Sequence, residues 1–372
     1  MHLIFGNTVS NTVLKLYNKI LDEGEYQPSR NGGCTSLRDV TLEVSNPRSR
    51  HLNLVGRNSN IVAMIAETFW VMAGDDRVDP YLSYFLPRAP QYSDNGKTWH
   101  GAYGPRMFGK GQIYDALNVF KSDGINTRRS FVNISDPTLD NMFAIQDKYG
   151  DDHTPKDLPC NREIHFYVEK GNRFCAKTIQ RSGDAIFGTG SINPFEFSFL
   201  HELMFNEVKK IHPELELGSY RWHVTNAHLY DFSKSQAVEA VDKIANYDLS
   251  FFQENDKPLI GPAGGALHWR RFFGDLVAFY TDIIESKEKY AFAGGEELVG
   301  KLWDIFNAHS VQIHDNLLFD YADIVLAYIC HKEVIAERRV INVTNYDIEF
   351  KSSLLNSKFI KFEMTDDSEV DE

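Results

Sequence analysis

The sequence predicts an α/β fold with an additional helical C-terminal region, and three observations carry that expectation. Alternating apolar residues over 130–180 and 220–230 read as strands; apolar residues at helical spacing over 10–24 and 60–74 read as helices; and the same spacing dominates from Leu267 onward. At 372 residues and 42% hydrophobic, the chain can bury one large core or a core with an added lobe.

Val13, Leu14, Leu16, Tyr17, Ile20 and Leu21 line one side of a first helix that stops at Gly24, expected as a glycine cap. Ser29-Arg30-Asn31-Gly32-Gly33 then forms a turn whose amides and guanidinium suit a phosphate, although a solvated turn arginine reads the same way. Residues 60–74 are apolar nearly all round, as in a buried helix. Glu67 is the exception, to be used in a site or closed in a structural salt bridge. Pro87 to Tyr103 is a loop long enough to line a site, and it ends in Trp99-His100-Gly101-Ala102-Tyr103-Gly104. Arg128 and Arg129 stand at the entrance of a strand, Ser130 to Ile134.

Leu158-Pro159-Cys160 comes next. An alternating stretch, Ile164 to Val168, a turn at Lys170-Gly171-Asn172 and a second stretch, Phe174 to Ile179, predict a hairpin. Cys160 lies near one of its ends and Gln180-Arg181-Ser182-Gly183-Asp184 near the other. A thiol with a guanidinium and a hydroxyl reads as covalent chemistry on an anionic substrate. Phe199 to Val208 follows as a core helix and Tyr220 to Tyr230 as a strand. Phe272, Phe273, Leu276, Val277 and Tyr280, then Leu298, Leu302 and Trp303, then Leu317 to Ile329, mark the C-terminal helices. Asp366 to Glu372 is an acidic tail expected to be disordered.

A net charge of −13 argues against a nucleic-acid binder, which needs clustered excess Lys and Arg. The start of the chain reads without a secretory leader, and no apolar run reaches the roughly 18 residues of a membrane span. Cysteines 34, 160, 175 and 330 have no metal or disulfide-framework spacing, and neither do His100, His223, His268 and His314. The expectation is therefore a cytoplasmic chain with reduced thiols and no metal, in which Cys34, Cys175 and Cys330 serve packing.

Taken in order along residues 15–232, these motifs resemble the thymidylate synthase and pyrimidine hydroxymethylase family. Pro159-Cys160 is similar to its nucleophile and Gln180-Arg181-Ser182-Gly183-Asp184 to its Gln-Arg-Ser-x-Asp. Gly188 with Asn193-Pro194-Phe195 matches the following stretch with one extra residue, and Ala227-His228-Leu229-Tyr230 matches its Ala-His-x-Tyr strand. The resemblance implies a large mixed sheet packed by helices, over a core at 1–253, a helical extension at 254–345 and a C-terminal segment at 346–372. It further implies addition of Cys160 to carbon 6 of a pyrimidine nucleoside monophosphate, with the one-carbon unit supplied by 5,10-methylenetetrahydrofolate. Arg30, Arg181 and Ser182 would take the phosphate, joined by Arg128 and Arg129 from the partner in a homodimer built on the sheet's back face, and Gln180 would be a further substrate-binding residue. Asn193 would read the base, His228 and Tyr230 the sugar, and Asp184 the pterin; Glu67 would manage protons, and Tyr103 would lie against the nucleophile.

Departures from the family pattern bear on the product. Asn161 follows the nucleophile where thymidylate synthases carry His, Thr225-Asn226 replaces Gly-Asp, and Phe85 to Tyr92 replaces a Trp-rich segment. The acidic tail likewise replaces a short aromatic C-terminus that closes over the folate. Methylation requires water to be excluded while a hydride arrives, so the sequence leans to hydroxymethylation, with dTMP formation as the alternative. Asn193 favours uracil and hence dUMP over dCMP or CMP, although the extra residue leaves Ile192 or Asn193 at the reading position. A nucleotide-binding protein without catalysis is a third reading. A cysteine hydrolase would leave the arginines and Asp184 without a role.

Overall fold

The computed structural model describes residues 1–57, 59–244, 254–290 and 295–333. The segment expected at 346–372, its acidic tail and the end of the expected helical extension lie outside the described residues. In chain order the elements are β1 (His2–Gly6), α1 (Val9–Glu23), β2 (Glu25–Ser29), β3 (Gly32–Val44), α2 (Ile61–Met72), α3 (Tyr81–Phe85), α4 (Tyr103–Phe108), α5 (Gln112–Asp123), β4 (Phe131–Asn133), α6 (Met142–Tyr149), β5 (Asn161–Glu169), β6 (Arg173–Gln180), β7 (Gly183–Asp184), α7 (Asn193–Ile211), β8 (Glu216–Tyr230) and α8 (Lys234–Ile244), followed by α9 (Ala266–Glu285), α10 (Lys287–Tyr290), α11 (Gly295–Ala308) and α12 (Leu317–Glu333). The strands form an eight-stranded mixed sheet packed by helices. Among the described residues, no helix is long and apolar enough to cross a membrane.

Two compact units divide the chain. Met1–Met64 and His165–Leu259 belong to one, Ile65–Ile164 and the helices after Ile260 to the other. In the first unit β3 pairs in parallel with β1 and antiparallel with β8, and β8 pairs in parallel with β6. Period-2 alternation sends Val40, Leu42, Val44, Tyr220, Trp222 and Val224 to one face, all fully buried, where α1 and α7 pack. Of the expected stripe on α1, Val13, Leu16, Tyr17 and Ile20 are at 0% exposure, joined by Val9, whereas Leu14 and Leu21 stand at its margin and are only part-buried.

Gly24 does end α1, but not as a left-handed cap, because its φ is −72°. A Cβ there would lie 2.4 Å from the Ile20 carbonyl oxygen and 2.7 Å from Thr35 Cγ2, so close approach to β3 is what requires glycine. The loop at Arg30 is the two-residue turn of a hairpin, in which β2 pairs with β3 from Glu25↔Ser36 to Ser29↔Gly32. The predicted hairpin after Cys160 is present: β5 starts directly after Cys160, Lys170 to Asn172 turn the chain, and β6 ends directly before Arg181.

In the second unit the apolar α2 packs near α9, with Phe69 and Phe273 ring centroids 5.5 Å apart. Tyr280 of α9 stacks on Tyr81 and donates its hydroxyl to the Ala322 carbonyl of α12 at 2.8 Å. Phe272 meets Phe306 of α11 edge to face. The C-terminal helices therefore share a core with α2 and α3.

Candidate active site

The residues expected in the site fall into two groups, one in each unit. In the first unit, β6 delivers Gln180 at 0% exposure and α7 opens on Asn193 at 5%. Thr189 Oγ1 donates to Gln180 Oε1 at 2.5 Å, and Gln180 Nε2 donates to Asn193 Oδ1 at 3.3 Å. This relay fixes which way the Asn193 amide points: Oδ1 already accepts, and Nδ2 is the donor end. Ile192 has no polar side-chain atom, so of the two candidates for reading a base only Asn193 has the chemistry. Arg181 is exposed at the end of β6, and Ser182 Oγ makes a long contact of 3.5 Å to the Asn226 carbonyl.

β7 pairs with β8 so that Asp184 faces His228 in register. Asp184 Oδ1 accepts from the amides of Ile186 at 2.7 Å and Phe187 at 3.3 Å. Burial pushes the Asp184 carboxyl up and the His228 imidazole down, each partly offset by the other's charge. His228 Nδ1 lies 3.3 Å from the Asn226 carbonyl, while its buried Nε2 has no hydrogen-bond partner among the described residues. With Nδ1 as the donor, Nε2 is left as an acceptor for a ligand hydroxyl. Tyr230 Oη accepts from Asn31 Nδ2 at 3.3 Å, which ties the turn carrying Arg30 to the strand carrying His228.

Sequence reasoning missed three features of this group. Phe187 and Phe232 are 42% and 62% exposed and their rings stack, as do those of Tyr230 and Phe232. Arg57, 4% exposed, donates to the Ile186 carbonyl and to Tyr17 Oη, bracing the Asp184 loop from behind. Only an apolar residue in a loop after a motif could have signalled Phe187; nothing local points to Arg57.

In the second unit, Glu67 lies on α2, Tyr103 opens α4, Arg128 and Arg129 precede β4, and Cys160 precedes β5. Cys160 is part-exposed and is flanked by two anchors. Asp157 Oδ2 accepts from Trp99 Nε1 at 2.8 Å, and Asn161 Nδ2 donates to Tyr103 Oη at 2.9 Å. Gly104 allows α4 to meet the end of α2, since a Cβ there would stand 2.6 Å from the Val71 carbonyl oxygen. The two arginines differ. Arg129 is committed to Asp123 through bonds of 2.6 and 2.7 Å, which hold that carboxyl down to about 2. Arg128 is exposed and makes no hydrogen bond or ion pair among the described residues.

Glu67 keeps a fraction of its surface open, yet loss of water around the carboxyl raises its pKa from 4.5 to about 7. The folded chain therefore holds a proton that the unfolded chain releases between those values. That contribution is full below pH 4.5 and is lost as the pH rises through 7. Glu67→Gln, which cannot ionise, is expected to stabilise the fold at pH 8 by about 3 kcal/mol at most, and to leave it unchanged near pH 4. Urea melts at both pH values check this; an equal effect at both would refute it.

The thymidylate synthase family profile matches residues 11–249. The deoxyuridylate hydroxymethyltransferase of Delftia phage PhiW-14 is 39% identical over 364 residues, covering 97% of each chain. Proteins of the same description from Pseudomonas phage M6 and Bacillus phage SP01 are 29% identical over 250 residues and 26% over 263. They cover 66% of both chains in the first case, and 67% of this chain and 64% of the relative in the second. A profile match over most of the chain and a relative aligned nearly end to end establish the kinship: the chain belongs to the thymidylate synthase family of one-carbon transfer enzymes.

Proposed function

We propose that this enzyme transfers a one-carbon unit from 5,10-methylenetetrahydrofolate to carbon 5 of dUMP and releases the hydroxymethyl nucleotide. The observation that carries the reading is the alignment, over 97% of both chains, with a protein described as a deoxyuridylate hydroxymethyltransferase. The Thr189–Gln180–Asn193 relay supports the choice of base. An amide with a fixed donor end and a partly used acceptor end meets the O4 acceptor and N3–H donor of uracil.

Cys160 adds as thiolate to carbon 6, and carbon 5 becomes the nucleophile that bonds to the one-carbon unit. The carbon 5 proton would pass to a base, and release of the donor's amine nitrogen, which takes the C–N bonding pair and a proton, would leave the carbon on the pyrimidine as an exocyclic methylene. Water then adds its oxygen to that carbon, its proton leaves to solvent, and the thiolate is expelled. Glu67, poised near neutral pH, suits the proton traffic. Arg30, Arg181 and Ser182 would take the phosphate, with His228 Nε2 and Tyr230 on the sugar hydroxyl.

Family membership implies a folate-derived one-carbon donor, and the residues present fit one. When bound, that donor supplies carbon at the formaldehyde oxidation level. Asp184 is fixed through Oδ1 on two amides, and its Oδ2 would accept from N–H groups of a flat ring. Phe187 and Phe232 offer aromatic faces beside it.

A homodimer completes the reading. The sheet face opposite α1 and α7 carries exposed Leu3 and Phe5, and Arg221 of β8 bridges Glu43 on the adjacent β3 and Glu169 on β5, one strand beyond β6. The partner's Arg128 would then reach the phosphate, and the partner's Arg129 would join it only on leaving Asp123.

Mass spectrometry of the products from dUMP, dCMP, UMP and CMP, with light scattering on the same sample, tests all of this. A dimer that adds one formaldehyde to dUMP is expected. A methyl product would replace the reaction proposed, a different nucleotide would replace the substrate, and a monomer with full activity would remove the shared arginines.

A further inference from the structure

We propose that Asn161, the residue after Cys160, is a positioning residue that sets the hydrogen-bond direction of the Tyr103 hydroxyl and makes it independent of pH. The inference rests on Cys160 as the nucleophile of the reaction proposed above. Asn161 is at 0% exposure and its Nδ2 lies 2.9 Å from Tyr103 Oη. In the structure the donor end of this buried carboxamide faces the phenol oxygen, and with no solvent at hand it has no water to exchange that partner for.

Both partners are braced from behind by backbone. Tyr103 opens a helix whose next residue, Gly104, is packed against the Val71 carbonyl. Asn161 opens β5, where the carbonyl of the next residue, Arg162, accepts the Ile134 amide at 2.9 Å. A phenol oxygen that accepts a hydrogen bond offers its own hydrogen more strongly, and in a fixed direction. The amide neither gains nor loses a proton across the working pH range, so the phenol keeps the same polarity throughout. A carboxylate in its place could only accept, and would draw the phenol hydrogen onto itself.

The experiment uses the full chain with dUMP and the folate donor. It measures kcat and KM against pH, exchange of the carbon 5 hydrogen with deuterated solvent, and dUMP binding by calorimetry. Asn161→Ala is expected to lower kcat roughly tenfold to a hundredfold, with KM for dUMP within about twofold. In a Tyr103→Phe background the same change should cost less than about twofold, because the pair acts as one unit. Asn161→Asp should be impaired at neutral pH and recover as the pH falls and its carboxyl gains a proton, a limb that wild type lacks. Asn161→His, which retains a donor, should rescue most of the rate. These two variants carry the test if Asn161→Ala fails to fold.

Losses that multiply in the double variant, or an Asn161→Asp profile parallel to wild type, would overturn the inference and leave Asn161 as packing. Wild type that neither exchanges the carbon 5 hydrogen nor forms product would instead overturn the reaction proposed above.

Discussion

Alanine in place of Cys160 is expected to abolish turnover, by on the order of a thousandfold or more, while dUMP binding persists. Four thiols are present, and Cys160 is the one proposed as the nucleophile. Cys34, Cys175 and Cys330 are buried, whereas Cys160 is part-exposed. Cys175 is the instructive contrast, because it lies one strand away in the same hairpin. Burial pushes its thiol up to about 11, and the Gly218 backbone is packed so closely that a Cβ there would stand 2.5 Å from its Sγ. At neutral pH such a thiol is ionised about once in ten thousand molecules, too seldom for an attacking group. Cys160 is part-exposed, and Trp99 anchors Asp157 on one side of it while Tyr103 receives Asn161 on the other, which fixes the backbone that presents the sulfur. Calorimetric binding of dUMP with single-turnover product assays should show Cys160→Ala binding without turnover and Cys175→Ala turning over within about threefold of wild type, as expected when only packing is trimmed. The reverse pattern would move the nucleophile to Cys175.

Much of this architecture was legible because the relevant signals are local. The α1 stripe, the hairpin between Cys160 and Arg181, and the strand ending at Tyr230 each announce themselves by periodicity within about fifteen residues. The strands β1 and β3 did not. β3 opens with Gly32, Gly33, Cys34, Thr35 and Ser36, small and polar residues with no apolar alternation, whose strand identity comes from pairing with β2 and, from Cys34 onward, with β8 far along the chain. The site divides in the same way. Motif residues such as Asn193 and Asp184 were visible, but the contacts that give them direction were not. The relay from Thr189 to Asn193 crosses a helix start, the brace from Arg57 to Ile186 spans 129 positions, and the bond from Asn161 to Tyr103 spans 58. Arg128 and Arg129 looked equivalent as a pair, and only the fold shows that Asp123 claims one of them.

Asn193→Asp is expected to reverse the preference between dUMP and dCMP, and the hydrogen-bond relay says why. In the native chain Gln180 Nε2 occupies one side of Asn193 Oδ1, so Nδ2 must serve as the donor to an incoming base. Uracil presents an acceptor at O4 and a donor at N3, and meets both ends of that amide. Cytosine presents a donor at its exocyclic nitrogen and an acceptor at N3, and would leave two buried groups facing like against like. Each mismatch of that kind costs about 1–3 kcal/mol, or roughly tenfold to a hundredfold in kcat/KM. An aspartate reverses the pattern. Its carboxylate accepts from Gln180 and from the cytosine amino group, and in its protonated form it donates to cytosine N3. We therefore expect kcat/KM for dUMP to fall by about a hundredfold and that for dCMP to rise, the latter more strongly at lower pH where the carboxyl holds its proton. Competition between the two nucleotides in one reaction, with both products counted by mass, reads the ratio directly. Asn193→Ala is the control, since loss of the amide without a replacement should depress dUMP use without creating dCMP use. If Asn193→Asp and Asn193→Ala lower both nucleotides by the same factor, the base edge is read elsewhere, and the relay through Gln180 and Thr189 serves only to close the start of α7.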